Sequence, residues 1–79
     1  MPLIGLGLLE YKTGDAAGAV NHYSSGLSLE PSDVGYILLA RALEAAGRKD
    51  ESSAALEQAK RLAPDFAAAQ NEASRLLAQ

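Results

Sequence analysis

Two kinds of chain-breaking residue recur at one interval in this sequence, and that interval limits the possible folds more than any other feature. Gly14 and Gly47 lie 33 residues apart, and Pro31 and Pro64 are separated by the same distance. Gly and Pro interrupt regular structure and mark turns. An interval shared by both breakers predicts an internal repeat, in which the segments between them are the structural units.

The segments between the breakers have the apolar period of α-helices, with large or small apolar residues every three to four positions. We predict helices over residues 16–30, 34–46 and 52–63, one helix after Pro64, and an apolar helix before Gly14. Leu29 and Leu62 are placed on the apolar faces of their helices. Ala and Leu, which favour helices, carry most of the apolar content, and strand-forming residues are scarce. The sequence therefore predicts an all-α fold.

The predicted helix ends carry residues that suit those positions. Ser32 or Asp33 and Asp65 precede helices and suit the N-cap, where a side-chain oxygen accepts a hydrogen bond from a free backbone N–H. Gly14 and Gly47 suit the left-handed residue that follows a helix end. These signals support helices joined by short turns.

At this point the chain resembles the tetratricopeptide repeat family, whose period is near 34 residues and whose units combine small, large and breaker positions. The matching residues of the first unit are Leu3, Leu6, Gly7, Ala19, Tyr23, Gly26 and Pro31. Those of the second are Tyr36, Leu39, Ala40, Leu43, Ser52, Leu56, Ala59 and Pro64. Two departures are Glu10, where the pattern has Tyr, and Ser52, where it has a small Ala.

The resemblance implies an α-α superhelix, a solenoid of two helical hairpins and a C-terminal capping helix within a single domain of residues 1–79. The first repeat spans residues 3–31, the second residues 33–64, and the capping helix residues 65–79. The last helix has a polar outer face, as a terminal repeat requires. Stacked hairpins curve, so the first helix of each pair lines a concave groove.

The resemblance also implies a non-catalytic module that binds a peptide or partner protein in this groove. Carried over position by position, the groove residues are Ile4, Leu8, Tyr11, Lys12, Val34, Ile37, Arg41, Glu44, Asn71 and Arg75. We favour Tyr11 and Arg41, because aromatic and Arg side chains dominate interface energetics.

Docking of heat-shock chaperone C-terminal tails is not expected. Family members with that function hold a carboxylate with Lys, Asn and Arg. The matching positions here hold Ile4, Leu8, Leu38, Ala68 and Glu72. Apolar and acidic side chains lack the charged donors that a carboxylate needs.

Composition argues against several other functions. The net charge of −3 and scattered Lys and Arg disfavour nucleic acid and anionic membranes as partners. With no Cys and a single His, His22, we expect no metal site, cofactor site or catalytic site. We find no signal-peptide pattern and no transmembrane segment. A cytoplasmic location is favoured, and a periplasmic one stays open.

The first helix presents apolar residues in nearly every direction, and such a helix is expected to be buried. These residues are Leu3, Ile4, Leu6, Leu8 and Leu9. Two explanations stay open: the chain is the C-terminal piece of a longer repeat scaffold whose earlier hairpins covered this helix, or a second copy of the chain or another protein covers it. If a second copy covers it, the protein is a structural element that assembles into homo-oligomers.

We predict that the isolated chain self-associates through residues 3–11, because an apolar patch of that size is rarely left exposed. Light scattering should give a mass above that of a monomer. Changing Leu3, Ile4 and Leu8 to Lys should return the mass to that of a monomer. A monomeric mass of the unmodified chain at high concentration would contradict the prediction.

Overall fold

The computed structural model describes residues 11–78, and in that range the chain forms four α-helices and no strand. They are α1 (Ala16–Leu29), α2 (Asp33–Ala45), α3 (Lys49–Leu62) and α4 (Phe66–Ala78). Tyr11 and Lys12 are also helical and precede the turn at Gly14. The predicted all-α class is confirmed. The predicted apolar first helix lies almost wholly outside the described residues.

Helix α3 begins at Lys49, three residues before the predicted start at Ser52. Its first turn contains Asp50 and Glu51, and its last turn contains Lys60 and Arg61. Acidic groups near the N-terminus and basic groups near the C-terminus both interact favourably with the helix dipole. The charged start of this helix has no apolar residue, so apolar periodicity alone placed its beginning too late.

Three of the four described helices have an N-cap side chain that accepts a hydrogen bond from a backbone N–H. Two of these N-cap residues, Ser32 and Asp65, were predicted from the sequence. Gly18 N donates to Asp15 Oδ1 at 2.9 Å, and Gly35 N donates to Ser32 Oγ at 3.0 Å. Ala68 N donates to Asp65 Oδ1 at 3.2 Å. Each bond satisfies a backbone donor that has no partner within its own helix. The choice between Ser32 and Asp33 is decided in favour of Ser32.

Gly14 and Gly47 adopt the left-handed conformation predicted for them, with φ of +90° and +80°. After α2, Gly47 N donates to Glu44 O at 3.0 Å and Arg48 N donates to Leu43 O at 2.8 Å. This pair of bonds is the Schellman motif, which satisfies free carbonyls at a helix end. The turn reverses the chain between α2 and α3.

Helix α2 is the centre of the fold. It packs against α1, α3 and α4, whereas the other pairs of described helices approach one another much less closely. Its buried residues are Gly35, Ile37, Leu38, Ala40, Ala42 and Leu43. Of all the residues in α2, only Arg41, Glu44 and Ala45 are exposed to solvent. A helix that is buried on most of its surface fixes the positions of the helices around it.

A close approach between α1 and α2 depends on Gly35. A Cβ atom at this buried position would lie 2.8 Å from Leu27 Cδ2 and 2.6 Å from Ser32 Oγ. Leu27 is itself buried, so its side chain has little room to move. Gly35 therefore allows a close contact between α1 and α2 that a larger residue would prevent.

Two leucines predicted on apolar faces are exposed instead. Leu29 is 80% exposed and Leu62 is 47% exposed. Val20, Tyr23 and Leu27 form the buried face of α1, and at 100° per residue Leu29 lies on the side opposite Leu27. Leu62 lies on the buried face of α3 but is the last residue of that helix, where cover from neighbours ends.

A buried hydrogen bond links the two helices of the second hairpin. The Ser52 hydroxyl of α3 donates to the Ala40 carbonyl oxygen of α2 at 2.8 Å, and Ser52 is only 5% exposed. Ser52 occupies a position where the repeat pattern has a small Ala. Ser is larger than Ala by only one heavy atom, the hydroxyl oxygen, and this atom adds a polar contact between the two helices.

We predict that Ser52→Ala lowers the free energy of unfolding relative to Ser53→Ala by about 1 kcal/mol, the usual net value of an intramolecular hydrogen bond. Ser53 is the exposed neighbour on the same helix, so both variants share the gain in helix propensity. Urea unfolding of the two variants measures the difference. Equal stabilities would show that the Ser52–Ala40 bond contributes nothing.

We predict that Gly47→Ala destabilises the protein by about 1 kcal/mol, because an L side chain is strained at positive φ. A Cβ atom at Gly47 would meet no atom within 4 Å, so the cost comes from the backbone alone. Gly47→Asn should cost less, since Asn tolerates this conformation better. Thermal unfolding should give melting temperatures that decrease in the order Gly47, Gly47→Asn, Gly47→Ala. A Gly47→Ala variant as stable as the unmodified protein would contradict the prediction.

Candidate partner-binding groove

The exposed residues of α2 line a surface hollow of about 290 Å³ together with Tyr11. The lining consists of Tyr11, Arg41, Glu44 and Ala45. Tyr11 is half-buried and packs against the hydrophobic core, whereas Arg41 and Glu44 are exposed. The structure thus brings together three residues that the sequence predicted for the groove: Tyr11, Arg41 and Glu44.

A second hollow of about 320 Å³ adjoins the first, because Glu44 lines both. Its other lining residues are Lys49, Ser52, Ser53 and Leu56. We call the two hollows together the α2 groove. Its first hollow contains Tyr11, its second contains the half-buried Leu56, and Arg41, Glu44 and Lys49 supply its charged groups.

Sequence reasoning missed the second hollow. In the sequence, Ser52 and Leu56 stand out only as matching repeat positions, and Lys49 precedes the predicted helix over residues 52–63. Repeat spacing contains a partial signal, since Tyr23 and Leu56 lie 33 residues apart, yet Tyr23 is fully buried and Leu56 only half-buried. The side chain at this repeat position is therefore less buried in the second unit than in the first.

Not every predicted groove residue lines these hollows. Lys12, Asn71 and Arg75 are exposed and Val34 is half-buried, but none of them is part of either lining. Ile37 is 0% exposed and belongs to the core, so its prediction as a groove residue is wrong. Ile37 lies one turn before Arg41 and is one of the buried residues of α2.

The remaining predicted residues lie outside the described part of the chain. They are the groove residues Ile4 and Leu8 and the self-association residues Leu3, Ile4, Leu6, Leu8 and Leu9.

Within residues 11–78, three pairs of oppositely charged residues with a spacing of three form ion pairs. Arg48 and Glu51 approach to 2.6 Å, Glu57 and Lys60 to 3.8 Å, and Glu72 and Arg75 are also paired. The hydrogen bond between Arg48 and Glu51 lowers the pKa of Glu51 and raises the pKa of Arg48. Arg41 and Glu44 have the same spacing, but among the described residues neither forms an ion pair or a side-chain hydrogen bond.

A separate hollow of about 300 Å³ lies between α1 and α3, and we call it the α1/α3 hollow. Val20, Leu39, Leu43 and Ala55 supply its apolar surface. Ser24, Ala54, Gln58 and the Arg48–Glu51 pair complete the lining. Arg48 and Glu51 are the charged residues of this lining, and they form an ion pair with each other.

Residues 11–78 contain no group of three or more His, Asp or Glu residues arranged to hold a metal ion. His22 lies on α1 with its ring Nδ1 3.1 Å from the Gly18 carbonyl oxygen. In the same range, none of the helices has the length and apolar character needed to cross a membrane.

The family model of the tetratricopeptide repeat matches residues 10–79, which is most of the chain. The chain belongs to the tetratricopeptide repeat family. No curated protein and no solved structure matches it. Tetratricopeptide repeats typically mediate protein–protein interactions, and the family is generally non-catalytic. Family membership thus agrees with the helical hairpins described above.

Proposed function

We propose that this tetratricopeptide repeat protein binds a peptide segment of a partner protein in the α2 groove. Tyr11 supplies an aromatic surface, Arg41, Glu44 and Lys49 supply charges, and Leu56 supplies an apolar contact. Interfaces of this kind combine an aromatic or Arg anchor with polar groups that fix orientation. The proposed ligand is a short segment rather than a broad surface, because both hollows are small.

One observation carries the proposal: the central helix is covered by its neighbours except along a stripe, and that stripe lines the groove. Arg41, Glu44 and Ala45 are the only exposed residues of α2. Helix α2 packs against all three other described helices, so this stripe is held in place by the core. A ligand that binds to a rigid surface loses less free energy to ordering the protein.

The proposed role is binding without catalysis. Of the two serines in the groove, Ser52 directs its hydroxyl to the Ala40 carbonyl, and the groove lining contains no His or Cys that could activate a hydroxyl. Tyr11, Arg41 and Glu44 provide contacts and charge, which suffice for recognition.

Heat-shock chaperone tails stay outside the proposed range of ligands. Among the positions that would have to hold the tail carboxylate, Leu38 is fully buried and Glu72 is already paired with Arg75. A buried leucine and a neutralised acid offer no donor to a carboxylate.

We predict that Tyr11→Ala and Arg41→Ala each weaken peptide binding at least about fivefold, as truncation of an interface anchor typically does. The probes are peptides selected from a random peptide library on the unmodified protein, with affinities measured by calorimetry. Ser24→Ala and Gln58→Ala in the α1/α3 hollow serve as controls and should leave binding unchanged. Loss of binding in the controls, with no effect in the groove variants, would refute the proposal.

The alternative function, assembly into homo-oligomers, depends on residues outside the described range and stays a prediction. The two functions respond to different substitutions. Arg41→Ala should weaken peptide binding and leave oligomer size unchanged, whereas lysines in place of Leu3, Ile4 and Leu8 should change oligomer size.

A further inference from the structure

We propose that the α2 groove selects peptides in which a basic side chain is flanked by acidic side chains. The basic residue pairs with Glu44, and the acidic residues pair with Arg41 and Lys49. This inference rests on the proposed function, because it names the chemistry of the ligand that the groove binds.

The first support is the unsatisfied charge of the Arg41–Glu44 pair. Arg48 and Glu51 have the same order and spacing and form a double hydrogen bond of 3.0 Å and 2.6 Å. Arg48, however, is the N-cap of α3 and has a non-helical backbone, whereas Arg41 and Glu44 both lie within α2. Spacing alone therefore does not explain why Arg41 and Glu44 stay apart. Both line the same hollow, so their charges face the space that a ligand would occupy.

The second support is the position of Glu44 at the end of a helix. Glu44 lies in the last turn of α2, which contains no basic residue. The C-terminal end of a helix carries partial negative charge, so a carboxylate is disfavoured there. An acidic residue that the helix end disfavours, and that forms no ion pair or side-chain hydrogen bond within residues 11–78, is expected where a ligand supplies an opposite charge.

The third support is the order of charges along the groove. Glu44 lines both hollows, Arg41 lines the first and Lys49 the second, so a negative group lies between two positive groups. Tyr11 lies in the first hollow, where its ring can contact the aliphatic part or the cation of a basic side chain. The complementary ligand has the opposite order of charges.

A uniformly anionic ligand fits this arrangement less well. The chain carries a net charge of −3, and Glu44 would repel an anion at the centre of the groove. Alternating charges give specificity, because a wrong partner places like charges next to each other.

The test is a selection from a random peptide library, repeated on variants of the whole chain. The unmodified protein should enrich peptides with a basic residue between acidic ones. Glu44→Gln should abolish enrichment of the basic residue and keep that of the acidic ones. Glu51→Gln, which removes the corresponding charge of the closed pair, is the matched control and should leave the selected pattern unchanged.

Charge reversal with rescue makes the test quantitative. Glu44→Lys should lower the affinity for a selected peptide by about two- to fivefold, the usual range for the loss of one exposed ion pair. Repulsion between the new lysine and the basic residue of the peptide adds to this loss. Replacing the basic residue of that peptide by Glu should restore binding to Glu44→Lys and weaken binding to the unmodified protein. Absence of this rescue overturns the inference.

The outcomes separate the inference from the function on which it rests. Peptides that require Tyr11 but show no charge pattern would refute the inference alone. Peptides that bind independently of Tyr11 and Arg41 would refute the proposed function. Melting temperature gives a further check: Glu44→Gln should keep or raise it, and a fall would mean that Glu44 serves the fold rather than a ligand.

Discussion

Burial of α2 by the three other described helices is the constraint on which the rest of the structure depends. Ile37 and Leu38 are fully buried, and Ala40 and Ala42 are small enough for neighbouring helices to come close. Gly35 allows the contact with α1, and Ser52 donates a buried hydrogen bond to α2 from α3. These contacts hold a short chain together with few large side chains.

The same arrangement decides where hollows form on the surface of the described helices. Since α1, α3 and α4 approach one another much less closely than they approach α2, hollows are left between them and beside α2. The charged residues that line the α1/α3 hollow, Arg48 and Glu51, are paired with each other, whereas Arg41 and Glu44 of the α2 groove form no ion pair within residues 11–78. A difference in charge compensation, rather than in volume, distinguishes these surfaces.

Much of the fold could be predicted from local chemistry. Glycines at positive φ, N-cap residues such as Ser32 and Asp65, and the 33-residue interval all act within a few residues or repeat regularly. The errors arose where tertiary context decides. Ile37 has the spacing of a groove residue, but burial depends on how three helices surround α2. The start of α3 was placed late because its first turn is held by charge rather than by apolar packing.

The candidate site was predicted in part, for a physical reason. Repeat position indicated Tyr11, Arg41 and Glu44, since helical geometry places them on one side of the first helices. It gave no information on which charges would be paired, because Arg41–Glu44 and Arg48–Glu51 are identical in spacing. Nor did it indicate that Leu56 would be less covered than Tyr23 at the same repeat position.

The most direct test of the binding surface is an NMR titration of the isotope-labelled protein with one selected peptide. The account predicts the largest chemical-shift changes at Tyr11, Arg41, Glu44 and Ala45, with small changes at Val20, Ala54 and Gln58. Changes centred on the α1/α3 hollow, with the exposed stripe of α2 unaffected, would contradict it.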